Sequence, residues 1–161
     1  MYLLFIGLIL GWISCLIVVF STRAYAVYKL HKEALAEVVK ELSIIRDLSN
    51  SKLEEVEGEF LMDYELLLPD NAYRKALSAG AGFYMRKGSV KFLKKVYTEV
   101  NMLNQFFERD ETGDPHKLYS VVKEVSENSE KAEKLVKMEL EQGTYSSFLD
   151  FLRQHNPSKS F

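Results

Sequence analysis

The sequence predicts an all-α protein in which a single N-terminal transmembrane helix continues into an antiparallel helical bundle. Three observations predict it. All charged side chains of the 161-residue chain, whose formal net charge is −2, lie after residue 22. No Gly or Pro stands between Trp12 and Val56, so one helix can leave the membrane without a break. Downstream, apolar residues recur at spacings of three and four, as in helices with one buried face.

The first element is the membrane helix, predicted over residues 2–22. Its segment YLLFIGLILGWISCLIVVF is uncharged and would span about 28 Å as a helix, close to the thickness of a bilayer core. A cleaved signal peptide is the alternative, because Ala24-Tyr25-Ala26 has the small-x-small form of a cleavage site. No basic residue precedes the apolar run, however, and Arg23 lies directly before that site, so a retained span is favoured.

The flanks of the span predict its orientation. Arg23, Lys29 and Lys32 follow it, whereas only the chain amine precedes it. The positive-inside rule therefore places the N-terminus outside and the C-terminal domain in the cytoplasm of a single-pass protein of the cell membrane.

Within the span, Gly7, Gly11 and Cys15 are spaced four residues apart and form one stripe of small residues. This G-x-x-x-G pattern predicts a helix interface, since small side chains let a second backbone approach closely. The alternative is that these residues simply face lipid. Cys15 is the only cysteine, which excludes an intrachain disulfide and agrees with a cytoplasmic domain.

A juxtamembrane helix is predicted over residues 23–50. Its apolar positions follow a near-heptad pattern typical of a coiled coil, and Ser49-Asn50-Ser51 is expected to end it. A capping box at Ser51 to Glu54 would then begin a further helical stretch. The apolar positions of the pattern are Tyr28, Leu35, Val38, Leu42, Ile45 and Leu48.

Residues 51–155 are predicted to form the cytoplasmic bundle. Residues 59–68 are taken as helix then loop, closed by Pro69. Turn and capping signals then predict helices over residues 71–79, from Gly88-Ser89 to Glu108, from Asp114-Pro115 to Gly143 and over 144–154. Residues 156–161 are expected to be a loose tail.

No catalytic or metal-binding motif is recognisable. His31, His116 and His155 lie far apart in sequence, and the acidic loop at Asp110, Glu111 and Asp114 lacks the ligand alternation of a calcium site. The single Cys lies in the span, and no serine stands in a nucleophile motif. We therefore expect a protein that is not an enzyme and that binds no metal or cofactor.

Charge is ordered along the bundle. An acidic block contains seven acids and no intervening Lys or Arg: Glu54, Glu55, Glu57, Glu59, Asp63, Glu65 and Asp70. A basic block follows without an acid: Arg74, Lys75, Arg86, Lys87, Lys91, Lys94 and Lys95. The two blocks could face each other or remain solvated. Alternatively, the basic block contacts anionic lipid or an acidic partner. Nucleic acid is disfavoured, because the chain is acidic overall and has no recognisable nucleic-acid module.

Three short motifs resemble a group of uncharacterised prokaryotic single-span membrane proteins. They are Leu68-Pro69-Asp70-Asn71-Ala72-Tyr73, then Ser78-Ala79-Gly80, then Val96-Tyr97-Thr98-Glu99-Val100 with Asn101 and Asn104. The resemblance covers about residues 2–105 and departs from the group's pattern between Ala81 and Gly88. It implies the topology of a membrane helix leading into a long helix, and it implies no catalytic residue.

Together these features favour a membrane-anchored helical interaction protein with the lipid bilayer as one partner. It would associate with itself or serve as an accessory subunit of a membrane complex. The alternative is a small-ligand sensor whose pocket is lined by Tyr73, Phe83, Tyr84 and Tyr97, although core packing is the commoner use of such aromatics.

Overall fold

A computed structural model of the chain describes residues 2–57, 67–108 and 115–142. These residues form α1 (Tyr2–Glu57), α2 (Asn71–Ser78), a 3₁₀ turn (Ala81–Tyr84), α3 (Lys87–Glu108) and α4 (Pro115–Gln142). No strand occurs among them, so the all-α prediction is confirmed.

Helix α1 is unbroken over 56 residues, a length of about 84 Å. The predicted helix end at Ser49-Asn50-Ser51 is wrong. Ser49 is fully buried, and the Asn50 side chain accepts a hydrogen bond from Ser126 Oγ of α4 at 2.6 Å. These contacts with the bundle outweigh the weak helix propensity of the three residues, so α1 continues to Glu57.

The first part of α1 is long and apolar enough to cross a membrane, and its apolar window is not buried against the rest of the described chain. Large side chains are exposed on every side of the helix between Ile6 and Phe20. Trp12 is 68% exposed and Phe20 is 69% exposed. No described residue of the bundle covers this segment.

Helix α2 is short, as the sequence predicts, and the turn after it is tight. Gly80 adopts a left-handed conformation with φ 78°, which a residue with a Cβ rarely adopts. The 3₁₀ turn that follows was not predicted. It buries Ala81 completely and contacts α1.

Helix α3 has an apolar seam at spacings of three and four, and its residues are all buried: Leu93, Val96, Val100, Leu103 and Phe107. The helix begins at Lys87, however, so Gly88 and Ser89 lie inside its first turn. Ser89 Oγ donates to Glu139 of α4 at 2.7 Å, instead of capping its own helix.

Helix α4 begins at Pro115 and ends at Gln142, as predicted. Residues 126–129 include weak helix formers but stay helical, because Ser126, Asn128 and Ser129 are buried against the bundle.

Side-chain contacts between the helices define the topology. Arg46 pairs with Glu133, and Asn50 bonds Ser126, so α4 runs antiparallel to α1. In the same way, α4 runs antiparallel to α3, since Ser89 bonds Glu139 and Asn128 bonds Glu99. The four helices therefore alternate in direction, as in an antiparallel bundle.

The core lies between these helices. The α1 positions of the predicted heptad pattern are buried there, apart from Leu48, which is partly buried. They pack against Val122, Val125 and Val136 of α4 and the seam of α3. The pattern therefore packs inside the chain's own bundle.

Several predictions fall outside the described residues. They are the segment at residues 59–66, the acidic loop at 109–114, the helix at 144–154 and the tail at 156–161.

Candidate functional site

The stripe of Gly7, Gly11 and Cys15 lies on the exposed half of α1. A Cβ added at either glycine would meet nothing within 4 Å. The bundle therefore does not require glycine at these positions, and the predicted interface with another helix stays a prediction.

The basic block is divided by the fold. Arg74 of α2 forms an ion pair with Asp70, the N-cap residue one turn earlier. Lys95 pairs with Glu99 at 3.2 Å and with Glu124 of α4 at 3.5 Å. These two residues are thus partly neutralised within the bundle.

The other members of the basic block are less engaged. Arg86 lies 3.6 Å from the buried carboxylate of Glu139, a loose contact. Lys75, Lys87, Lys91 and Lys94 are exposed and form no ion pair with any described residue. Positions 87, 91 and 94 share one face of α3, opposite its buried seam.

The acidic block lies mostly outside the part that the structure describes. Asp70 is the member whose contact is visible, and its partner is Arg74 of α2, the helix that Asp70 precedes. Whether the two blocks face each other therefore stays a prediction.

A buried carboxylate that the sequence analysis did not single out connects three helices. Glu41 of α1 is only 7% exposed. Its oxygens accept hydrogen bonds from the backbone N–H groups of Ala72 at 2.7 Å and Tyr73 at 3.1 Å, in the first turn of α2. The hydroxyl of Tyr97 in α3 donates to the same carboxylate at 2.8 Å. We call this arrangement the Glu41 clamp.

The Glu41 clamp caps α2 from another helix. Asp70 stands at the N-cap position but makes no side-chain cap hydrogen bond. A carboxylate at a helix N-terminus satisfies N–H groups that lack partners in the helix and interacts favourably with its dipole. Glu41 therefore fixes where α2 begins against α1.

The two tyrosines of the clamp pack on each other. The rings of Tyr73 and Tyr97 stack with centroids 4.1 Å apart and an interplanar angle of 7°. Burial, and then the adjacent carboxylate of Glu41, raise the pKa of Tyr97 well above its ordinary value. Burial also raises the pKa of Tyr73. Both hydroxyls thus stay protonated near neutral pH.

Two further contacts hold the segment that contains α2, which connects α1 to α3. The side-chain amide of Asn104 accepts from the N–H of Leu68 and donates to its carbonyl, both at 2.8 Å. At the other end of α2, His31 Nε2 donates to the carbonyl of Ala79 at 2.6 Å. Residues of each of the three short motifs thus take part in hydrogen bonds around α2.

Two more carboxylates are buried on α4. Glu133 bonds Arg46 and Lys137, each at 2.6 Å. Glu139 accepts from Ser89, and its second oxygen is buried without a hydrogen bond from a described residue. Both link α4 to its neighbours in the bundle.

The sequence contained a signal for the buried polar residues of α1. His31 lies three residues after Tyr28 and four before Leu35, and Glu41 lies three after Val38 and four before Ile45. Polar residues at these spacings fall on the apolar face of a helix. Only the fold could supply their partners, which are 31 to 56 residues away.

The arrangement is suited to holding helices together. Each polar group of the Glu41 clamp already has a partner within the chain. Within the described ranges, no group of three His, Cys, Asp or Glu side chains could hold a metal ion. Of the residues of the predicted ligand pocket, Tyr73 and Tyr97 stack on each other and the side chains of Phe83 and Tyr84 lie outside the description, so the pocket stays a prediction.

The chain was compared with protein-family models, with characterised proteins and with solved structures, and none matches. The arguments for function therefore come from the chain's own geometry.

Proposed function

We propose that this chain is a membrane-anchored helical interaction protein. Its N-terminal helix crosses the cell membrane once with the N-terminus outside, and the bundle lies in the cytoplasm. The span associates with a second membrane helix, either of another copy or of a membrane complex that the chain serves as an accessory subunit.

The continuity of α1 carries this proposal. The same 56-residue helix is exposed and apolar in its first part and contributes to the core of the bundle in its second. An exposed apolar surface of this length is unstable in water and requires lipid or protein around it.

The polar side chains in and next to the apolar segment support a lipid environment. Ser14 Oγ donates to the carbonyl of Leu10 at 2.9 Å, and Thr22 Oγ1 donates to the carbonyl of Val18 at 2.9 Å. Because each hydroxyl bonds within its own helix, neither requires water. The segment is therefore compatible with hydrocarbon on all sides.

The heptad pattern of α1 is buried inside the chain's own bundle, and this supports association through the span instead. Leu35, Val38 and Leu42 are fully or almost fully buried by the chain's own helices, so they are not free to form a coiled coil with a partner. Gly7 and Gly11 remain open to a second helix. Association through the membrane also leaves the bundle free to contact a partner at the cytoplasmic surface.

Cross-linking in native membranes tests the association. Cys15 is the only thiol, so copper-catalysed oxidation can join two copies only if their spans meet near this position. We expect a disulfide-linked dimer, or a cross-link to a thiol of a partner subunit, and we expect Gly7→Leu with Gly11→Leu to abolish it.

The matched control adds bulk to the opposite face of the span, as Ile9→Phe with Ile13→Phe. This control should keep the cross-link. A protein that stays monomeric, with no co-purifying partner from its native membrane, would show that the association proposal is wrong.

A further inference from the structure

One end of the bundle lies next to the apolar segment of α1. Ala24 packs against the core, only two residues beyond the predicted span. Tyr28 is buried, and the 3₁₀ turn contacts α1. At a rise of about 1.5 Å per residue, the core therefore begins within a few ångströms of the end of the span.

The connection between α2 and α3 is at this same end. His31 bonds Ala79, which places the end of α2 about 14 Å from residue 22 along α1. Tyr97 is level with Glu41, and α3 runs in the same direction as α1. The first turn of α3 therefore points back toward the span.

Basic side chains are concentrated at this end. Lys29 and Lys32 come from α1, and Arg86, Lys87 and Lys91 come from the start of α3; all five are exposed. We call these five residues the membrane-facing basic surface.

Of the described acids at this end, Glu141 of α4 is exposed and forms no ion pair with a described residue, and Glu33 and Glu139 neutralise little of the basic charge. Glu33 pairs with Lys29 at 3.7 Å. Glu139 is only 3% exposed and lies beneath Arg86. Lys87 and Lys91 form no ion pair with a described residue, so their charge is open to solvent.

Exposed apolar side chains lie among the basic ones. Val27 and Leu30 of α1 and Leu77 of α2 are each at least 40% exposed, and Tyr25 is 54% exposed. Lys, Arg and Tyr together with exposed aliphatic side chains are typical of surfaces at the headgroup level of a bilayer.

We infer that the membrane-facing basic surface binds the headgroups of anionic phospholipids and so holds the bundle against the bilayer. This inference rests on the proposed membrane anchor. An acidic protein fits the position less well, because the surface begins about 10 Å beyond residue 22 at Lys29 and reaches about 20 Å at Lys91, on the side of the bundle that faces the negatively charged headgroups.

Hydrogen exchange of the full chain in lipid vesicles tests the inference. The vesicles contain phosphatidylcholine alone or phosphatidylcholine mixed with phosphatidylglycerol. Since each basic residue near an anionic surface contributes a factor of about five in binding, we expect exchange in residues 79–91 to slow by at least about five-fold in the anionic vesicles. High salt should remove the difference, because the screening length at 1 M is only about 3 Å.

Lys87→Gln with Lys91→Gln should abolish the lipid dependence. The matched control, Lys123→Gln with Lys131→Gln, removes the same charge from exposed positions near Ser126, at the far end of the bundle, and should retain it. Inorganic phosphate added to phosphatidylcholine vesicles should not slow exchange. If it does so as well as the anionic lipid, the surface binds free phosphate and the inference is wrong.

Flotation after an alkaline wash separates failure of the anchor from failure of the inference. A chain that does not float with the vesicles would overturn both. A chain that floats but exchanges equally fast in both lipids would overturn only the lipid inference, and is the result expected if the lysines serve an acidic protein.

Discussion

The two parts of α1 have one backbone and two different surroundings. From Ile6 to Phe20 the apolar side chains point outward in every direction and remain exposed. From Tyr28 to Ile45 most of the apolar side chains lie on one stripe that is buried by α2, α3 and α4, whereas Leu30 and Ile44 lie outside it and are about half exposed. His31 lies at the centre of the buried stripe and Glu41 at its edge. The polar atoms of both form hydrogen bonds with the ends of α2.

The comparison shows how solvent determines the pattern that a helix needs. A helix in lipid bonds all its backbone groups internally and needs only an apolar surface. A helix in a bundle needs one apolar face, and each polar atom on that face needs a partner. The change between the two patterns occurs at residues 23–28, without any change in the helix itself.

The same substitution in the two parts should have very different effects on the bundle. Leu42→Ala removes a fully buried side chain and should lower the free energy of unfolding by about 3 kcal/mol. Leu10→Ala, in the exposed part, should leave it unchanged. Urea unfolding in detergent micelles, followed by circular dichroism, measures both. Equal losses would contradict the division of α1 into two parts.

The Glu41 clamp should be the next most sensitive feature. Glu41→Ala leaves two backbone N–H groups and the Tyr97 hydroxyl without their acceptor, which should cost about 2 to 3 kcal/mol in the same assay. Glu37→Ala is the matched control, since its carboxylate is exposed and pairs only with Lys40. We expect no measurable change there. If the two variants unfold alike, Glu41 does not fix α2.

The stability conferred by Tyr97 should depend on alkaline pH. Its pKa is raised in the folded chain by burial and by Glu41, so the folded state keeps a proton that the unfolded state loses above about pH 10. Its contribution is present below pH 10 and falls above it by about 1.4 kcal/mol per pH unit. The difference in unfolding free energy between the wild type and Tyr97→Phe should therefore shrink between pH 9 and pH 11. A constant difference would mean that Tyr97 ionises alike in both states.

The contact between Asn104 and Leu68 should give the smallest effect. Asn104→Ala removes two hydrogen bonds to the backbone next to α2 and should cost about 1 kcal/mol. The exposed neighbour Gln105→Ala is the control and should unfold like the wild type. A loss shared by both variants would point to helix propensity in α3 rather than to this contact.

Much of the fold could be predicted from the sequence because it depends on local patterns. The apolar span, the seam of α3 and the start of α4 at Pro115 each follow from neighbouring residues. The predicted stop at Ser49 to Ser51 is wrong because the decisive contact, between Asn50 and Ser126, joins residues 76 positions apart.

The Glu41 clamp could not be predicted from the sequence, for the same physical reason. Glu41 could be recognised as a polar residue beside an apolar stripe, but its partners in α2 and α3 depend on how the chain returns. The basic block was visible as a run of charge. Its division into paired residues such as Lys95 and unpaired ones such as Lys87 required the helices to be placed.

A distance along α1 tests the central claim most directly, namely that one continuous helix joins the membrane to the core of the bundle. Spin labels at Cys15 and at Lys40→Cys, both exposed, are placed in the full chain in lipid nanodiscs, diluted with unlabelled protein. An unbroken helix gives one narrow distribution centred near 38 Å, from about 1.5 Å per residue. A broad or much shorter distribution would show that α1 is broken between the span and the bundle, and would contradict the account.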